Sequence, residues 1–313
     1  MTDILAIGDY TDVDRAALEG AMAARVLRRM NEALALPEAA RGAIRAMAFQ
    51  GHSPIGGAEM DAFPNLGVIA NFGVGYDAID VDAAAVRGIA VTNTPDVLND
   101  DVADLAVAML LSHCRRMRQA EDHVRSGDWA QKGEFPLVRK ASGGRAGILG
   151  LGRIGREIAD RLAAFKMEIH YWSRSEKEVP AGWQFHANPI SLAGAVDYLV
   201  VALVGGKDTE GMVSAPVLDA LGRDGVVINI SRGTTIDEAA LLDRLEDGRL
   251  AGAGLDVFLG EPNIDTRFLS LDNVVLQPHQ GSGTHATRAA MGQLQRDNIA
   301  AFLAGRPLLT QVA

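Results

Sequence analysis

The stretch GILGLGRIG, residues 147–155, decides the fold class. Its three glycines form the pattern G-x-G-x-x-G, which follows an apolar run typical of a strand and opens a segment typical of a helix. The first glycine permits a tight turn, the second lets a pyrophosphate approach the backbone, and the third lets the helix pack closely on the sheet. Amide groups at the start of such a helix attract phosphate. The stretch therefore predicts a dinucleotide-binding loop, whose cofactor-binding residues are Gly150, Gly152, Arg153, Ile154 and Gly155.

Apolar runs and helical segments alternate on both sides of this loop. Predicted strands upstream are DILAIGDY, IRAMAFQG, LGVIANFGVG and IAVTNTP, and those downstream are AGILG, EIHYW, DYLVVAL, VVINIS, AGAGLDVF and NVVLQP. Such alternation is typical of parallel sheets covered by helices. We therefore predict an α/β fold with two doubly wound parallel-sheet domains. A Rossmann dinucleotide-binding domain spans 99–285, and a smaller, flavodoxin-like substrate-binding domain combines 1–98 with 286–313.

Two long helices are also predicted. Residues 15–35 are rich in Ala, Leu, Glu and Arg, and residues 101–126 place apolar side chains at spacings of three or four. The second helix is long enough to join the two domains or to pack against a partner subunit.

Composition excludes several classes of protein. The chain has 313 residues, 48% of them hydrophobic and 22% charged, which is the profile of a globular protein. A net charge of −10 argues against nucleic acid or an anionic membrane as a partner. No apolar run approaches the roughly 18 residues of a membrane span, and the N-terminus does not resemble a signal peptide, so a cytoplasmic protein is expected. Cys114 is the only cysteine, and no metal site is predicted.

The end of the second predicted strand of the dinucleotide domain selects the cofactor. An acidic residue is expected there if the loop holds the ribose of NAD, but the sequence supplies Ser173, Arg174 and Ser175. A guanidinium pairs with a 2′-phosphate, and hydroxyls can donate hydrogen bonds to it. These three residues therefore predict NADP(H) as the cofactor, with NAD(H) as the weaker alternative.

Three polar side chains follow predicted strands further downstream. Arg232 comes after VVINIS, Glu261 lies in the loop after AGAGLDVF, and His279 follows NVVLQP. The carboxyl ends of parallel strands share one edge of the sheet, where ligands bind. Arginine can grip a carboxylate and a keto oxygen, a histidine can donate a proton, and a carboxylate can hold that histidine charged. We predict these three as the catalytic residues, with Arg232 and His279 also contacting substrate.

The chain as a whole resembles the D-isomer-specific 2-hydroxyacid dehydrogenase family. The matching segments are NFGVGYDAIDVDAAAVRGIAVTNTP, VADLAVAMLL, GILGLGRIG, INISRGTTIDE, AGAGLDVFLGEP and QPHQGSGT. The resemblance implies the same three catalytic residues. It also implies that main-chain groups of Val74 and Gly75 bind the substrate carboxylate, that Ile230 and Asp256 lie along the nicotinamide half of the cofactor, and that the protein is a homodimer.

Within this family, FPL before the glycine loop and SRS after it are most similar to NADPH-dependent glyoxylate/hydroxypyruvate reductases, and plant hydroxyphenylpyruvate reductases share these features. The expected activity is therefore NADPH-dependent reduction of small 2-keto acids, glyoxylate or hydroxypyruvate, to D-2-hydroxy acids. One alternative is reduction of a bulkier keto acid such as hydroxyphenylpyruvate. Another is a dinucleotide-sensing binding protein similar to the corepressors of this fold. Residues 202–209, ALVGGKDT, depart from the PLT segment of many family members.

Overall fold

The computed structural model describes residues 2–313 and divides the chain into two compact units. Unit 1 combines Met1–Leu98 with Gly283–Ala313, and unit 2 is the continuous segment Asn99–Ser282. The sequence placed the second boundary after residue 285. In both units, apolar strands form a sheet that is buried on both faces.

Unit 1 contains a five-stranded parallel sheet. Its strands are β1 (Ile4–Ile7), β2 (Arg25–Leu27), β3 (Ala46–Phe49), β4 (Val68–Asn71) and β5 (Ala90–Thr92), in the order β2-β1-β3-β4-β5. This order is the flavodoxin-like one, as predicted. The first five helices are α1 (Asp12–Gly20), α2 (Met30–Leu34), α3 (Glu38–Gly42), α4 (Gly57–Asp61) and α5 (Val81–Val86).

The helix predicted over 15–35 is wrong. Helix α1 ends at Gly20, and Arg25–Leu27 pairs with β1 as a parallel edge strand before α2 begins. Arg and Leu both favour helices, so local propensity gave no sign of this strand. Pairing with β1, which is fully buried, outweighs that propensity.

Unit 2 contains a seven-stranded parallel sheet. Its strands are β6 (Arg145–Leu149), β7 (Glu168–Trp172), β8 (Gln184–Phe185), β9 (Tyr198–Val201), β10 (Val226–Asn229), β11 (Gly252–Leu255) and β12 (Val274–Leu276), in the order β12-β11-β10-β9-β6-β7-β8. Its helices are α6 (Asn99–Arg115), α7 (Met117–Arg125), α8 (Asp128–Lys132), α9 (Arg153–Ala164), α10 (Pro189–Ala193), α11 (Ala215–Leu221) and α12 (Glu238–Glu246). The strand order reverses between β6 and β9, which is where ligands bind in doubly wound sheets.

The predicted fold class is confirmed, including all six strands expected downstream of residue 140. Strand β8 was not predicted, because two exposed residues are too short to show a period. The single helix predicted over 101–126 is wrong. Arg116 adopts a left-handed backbone (φ 47°) and separates α6 from α7. A non-glycine residue rarely takes this conformation, so the sequence carries no signal for the break.

The last helix, α13 (His285–Leu303), belongs to unit 1. Its buried Gln295 donates hydrogen bonds from Nε2 to the carbonyl oxygens of Phe49 and Ala70 at 3.2 and 2.8 Å, which ties the helix to β3 and β4. Across the described part of the chain, residues 2–313, no helix is both long enough and apolar enough to cross a membrane.

Candidate active site

The glycine loop connects β6 to α9 at the point where the strand order reverses. Gly150 has a φ of +104°, and a Cβ there would lie 2.6 Å from the carbonyl oxygen of Ala202. A Cβ at Gly155 would overlap the carbonyl oxygen of Gly150. These two glycines are therefore required by the tight turn and by the close packing of α9 on the loop, as the sequence predicted.

Gly152 differs from the other two glycines. A Cβ at this position would meet no atom within 4 Å, so the protein's own packing does not require a glycine here. Within residues 2–313, the N–H groups of Ile154 and Gly155 meet no acceptor, and they lie in the first turn of α9 beside the exposed Arg153. Open space beside unpaired amides at a helix N-terminus fits the diphosphate of a dinucleotide.

The segment after β7 carries the residues predicted to select the cofactor. Arg174 and Ser175 are exposed, whereas Ser173 is buried and its hydroxyl donates to the carbonyl oxygen of Ser175 at 2.6 Å. The hydroxyl of Tyr171 pairs with both main-chain groups of Lys177, which closes the loop. Because the proton of Ser173 is used within the loop, Arg174 and Ser175 supply the outward-facing donors.

The turn after β10 presents Arg232. Buried Asn229 donates from Nδ2 to the carbonyl oxygen of Arg232 at 3.0 Å, and its Oδ1 accepts from the N–H of Ser231 at 3.0 Å. Ile230, between Asn229 and Ser231, is half-buried, and its N–H donates to the carbonyl oxygen of Val201. Nη1 of Arg232 donates to the carbonyl oxygen of Ser231 at 2.8 Å. The sequence analysis missed Asn229, although an Asn at a strand end is typical of a turn held by its own side chain.

Glu261 and His279 are in direct contact. Oε2 of Glu261 lies 2.6 Å from Nδ1 of His279, and its Oε1 accepts the N–H of Phe258 at 2.7 Å. Both side chains are only partly buried. Because a carboxylate can only accept, Nδ1 carries a proton, and a proton passed to another molecule comes from Nε2.

Asp256 holds the turn that carries His279. Its buried carboxylate accepts the N–H groups of Gln280 and Gly281 at 2.7 and 2.8 Å, and its carbonyl oxygen accepts the N–H of His279 at 2.8 Å. Burial raises the pKa of the Asp256 carboxyl, while the two amides oppose that shift. His279 itself has a left-handed backbone, with a φ of 51°. The structure therefore gives Asp256 a positioning role, beside its predicted place along the cofactor.

The three predicted catalytic residues follow three neighbouring strands. Arg232 comes after β10, Glu261 lies in the loop after β11, and His279 follows β12. These strands are parallel, so the three residues belong to the carboxyl edge of one sheet, the edge that also carries the glycine loop. Chemically, this edge offers a guanidinium for an anion and a proton donor held by a carboxylate.

In unit 1, hydrogen bonds from two asparagine side chains hold the loop after β4. Asn71 donates to the carbonyl oxygens of Gly73 and Gly75 at 3.1 and 2.9 Å, and Asn93 donates to that of Val74 at 3.0 Å. The carbonyl oxygens of Gly73, Val74 and Gly75 are thus bound by buried amide side chains. Among the residues that the structure describes, no acceptor lies within reach of the N–H of Val74 or Gly75. These are the two residues predicted to bind a carboxylate.

The reversed strand order, the glycine loop and the polar groups at the carboxyl edge define a dinucleotide-binding protein of the Rossmann class. Residues 107–281 match the family described as D-isomer specific 2-hydroxyacid dehydrogenase, NAD binding domain. The chain belongs to this family of oxidoreductases, which act on CH–OH groups with a nicotinamide dinucleotide.

Similar proteins reduce 2-keto acids. The chain is 46% identical to hydroxyphenylpyruvate reductase of Plectranthus scutellarioides, over 81% of this chain and 80% of the relative. It is 45% identical to a glyoxylate/hydroxypyruvate reductase of Arabidopsis thaliana, over 88% of each. The crystal structure of an NADPH-dependent glyoxylate/hydroxypyruvate reductase from Sinorhizobium meliloti, in complex with NADP and malonate, superposes with a TM-score of 0.94 at 43% identity, covering 100% of this chain and 97% of that one.

Proposed function

We propose that the protein reduces small 2-keto acids, such as glyoxylate and hydroxypyruvate, to D-2-hydroxy acids with NADPH. The observation that carries the proposal is the 2.6 Å contact between Glu261 and His279, on the sheet edge that holds the dinucleotide loop. A histidine held in this way is a proton donor beside a hydride-transfer site. The names of the relatives support the same substrate class.

His279 acts as the general acid. NADPH, when bound, supplies a hydride to the carbonyl carbon of the substrate. Nε2 of His279 gives its proton to the carbonyl oxygen. The Nδ1–H group of His279 stays hydrogen-bonded to Glu261, and this bond keeps the ring oriented.

We assign two groups to the substrate's acid function. The guanidinium of Arg232 grips the carboxylate and the keto oxygen, because its planar fork matches two acceptors. We also assign the N–H groups of Val74 and Gly75 to the carboxylate, since main-chain N–H groups without an acceptor can bind an anion. Ile230 and Asp256, beside the same strand ends, are assigned to the nicotinamide half of the cofactor.

We assign the preference for NADPH over NADH to Arg174, with Ser175 and the backbone that Ser173 fixes. No carboxylate stands at the end of β7 to bind a ribose 2′-hydroxyl, and the exposed guanidinium suits a 2′-phosphate.

Arg174→Asp should weaken NADPH binding by about 10- to 100-fold, because a hydrogen bond to a charged group contributes roughly 1.5–3 kcal/mol and the new carboxylate repels the phosphate. NADH affinity should change far less. Fluorescence titration of both cofactors measures the effect. Arg223→Asp is the matched control, since Arg223 is exposed in the turn before β10, at the opposite edge of the sheet. Equal losses for NADPH and NADH would reject the assignment.

The substrate class is tested by measuring NADPH oxidation with glyoxylate, hydroxypyruvate and hydroxyphenylpyruvate. We expect the highest kcat/KM for the two small acids, and a D product. The similarity to a hydroxyphenylpyruvate reductase makes hydroxyphenylpyruvate the second candidate substrate. If its kcat/KM were the highest, it would become the proposed substrate in place of the two small acids. NADPH binding without turnover of any keto acid would favour the corepressor-like binding protein instead.

We also propose that the protein is a homodimer. Met117 and Val124 on α7, Trp129 on α8 and Leu137 beyond it are exposed apolar side chains within one short segment of unit 2. Exposed apolar groups gathered in this way are typical of an interface.

A further inference from the structure

The loop from β11 to Glu261 is held by two carboxylates on successive amides. The N–H of Phe258 donates to Oε1 of Glu261 at 2.7 Å, and the N–H of Leu259 donates to Oε2 of Glu238 at 2.9 Å. The first bond lies within the loop. The second comes from the first residue of α12, in the segment SRGTTIDE that also carries Arg232. Glu238 therefore links that segment to the loop that carries Glu261.

Gly233 adds a second contact between the same two segments. A Cβ on Gly233 would overlap the carbonyl carbon and oxygen of Phe258, and it would lie 2.5 Å from the nitrogen of Leu259. The backbone next to Arg232 thus rests directly on the peptide group whose N–H is bound by Glu238. The hydrogen bond to Glu238 fixes the orientation of this peptide group, and the packing of Gly233 blocks its movement on one side. Together these two contacts fix the path of the loop.

The carboxylate of Glu238 serves as a hydrogen-bond acceptor for the N–H of Leu259 rather than as the partner of a cation. It is partly buried, and burial is the main reason that the pKa of its carboxyl is raised. The charged groups that face it are Asp265 and Glu261, which add to the shift, and Arg267, which opposes it together with the N–H of Leu259. Its neighbour Asp237 caps α12 by accepting the N–H of Ala240 at 3.0 Å, so the helix has its own cap.

We propose that Glu238 is a positioning residue of the reduction: it fixes the 258–261 loop on the Arg232 segment, and so holds Glu261 against His279. Glu238 touches neither substrate nor cofactor in this role. It acts through the loop amide, and the chain of contacts runs from Glu238 to Leu259, then through the loop to Glu261 and His279. This inference rests on the proposed function only for its kinetic readout.

The test compares Glu238→Ala with Glu238→Gln, whose amide oxygen can still accept the N–H of Leu259. Groups that orient the ligands of a metal site contribute about 10- to 100-fold to activity, and Glu238 acts on His279 through more intervening contacts than such groups do. Glu238→Ala should therefore lower kcat about 10-fold, at the low end of that range, with little change in the KM for glyoxylate. Glu238→Gln should recover most of the rate. Glu246→Ala is the matched control, since Glu246 is an exposed carboxylate at the other end of α12, 3.9 Å from Arg267.

A second readout does not depend on turnover. Histidine-ring NMR at fixed pH, with the His279 signal assigned from His279→Asn, reports the surroundings of the His279 ring, which faces the carboxylates of Glu261 and Asp256. In Glu238→Ala the His279 ring signals should shift, because Glu261 holds the ring less firmly. Simple destabilisation of α12 would lower Tm without this shift.

The outcomes separate the two proposals. Glu238→Ala with unchanged kcat and unchanged His279 ring signals would overturn the positioning role. Glu238→Gln impaired as much as Glu238→Ala would also overturn it, since the acceptor is retained. A wild-type protein that reduces no keto acid, with His279 ring signals that still shift in Glu238→Ala, would reject the reductase activity and keep the positioning role.

Discussion

Replacing His279 by asparagine should lower kcat for glyoxylate reduction by about 10²–10⁴-fold, the usual contribution of a positioned general acid. The loss follows because the amide of asparagine is far too weak an acid to transfer a proton to the carbonyl oxygen. Asparagine is the suitable replacement, since His279 has a φ of 51° and asparagine tolerates this left-handed conformation better than most residues. The fold, the Asp256 turn and NADPH affinity should therefore be preserved.

Stopped-flow measurement of NADPH oxidation across pH checks this result. In the wild type, reduction should slow as pH rises and the imidazolium is lost, whereas the residual rate of His279→Asn should not follow that decline. His123→Asn is the control, since His123 lies partly buried on α7, where its Nε2 is bonded to the carbonyl oxygen of Gly133 at 2.8 Å. A variant that keeps the wild-type kcat and pH profile would show that another group protonates the substrate.

Arg232→Lys should reduce kcat/KM for glyoxylate by about 10²–10³-fold, the range measured when one donor to a developing oxyanion is removed. Lysine keeps the positive charge, but its ammonium group is a point donor and cannot form two parallel hydrogen bonds to carboxylate and keto oxygens. The backbone of the turn should be unaffected, because Asn229 binds only main-chain groups of Ser231 and Arg232.

Steady-state kinetics with glyoxylate, together with NADPH titration, measure this effect. NADPH affinity should stay close to that of the wild type, and Arg223→Lys, in the exposed turn before β10, should leave kinetics unchanged. If Arg232→Lys retained the full kcat/KM, the planar fork would have no part in holding the substrate.

The sequence predicted the parts of the fold that depend on regular patterns. Apolar runs marked the long buried strands, and the glycine spacing marked the loop after β6, since packing leaves no room for side chains at Gly150 and Gly155. Local patterns could not reveal β2, which depends on pairing with β1, or the break at Arg116. Both are decided by tertiary structure rather than by propensity.

The candidate site shows the same division. Placing Arg232, Glu261 and His279 on one sheet edge required only that their strands be parallel. The supporting groups were not predicted, because Asn229, Glu238 and Asn71 act through hydrogen bonds to main-chain atoms of loops, whose paths depend on the fold. The use of the Ser173 hydroxyl within its own loop was missed for the same reason.

The divided make-up of unit 1 has a consequence for how the molecule is made. Its sheet depends on residues near the end of the chain: Gln295 bonds to β3 and β4, and the N–H of Val91 in β5 donates to the carbonyl oxygen of Ala313 at 2.9 Å. Unit 2 is one uninterrupted segment. During translation all of unit 2 is therefore synthesised before Gln295 and Ala313, on which the sheet of unit 1 depends. Unit 1, which is begun first, is completed last.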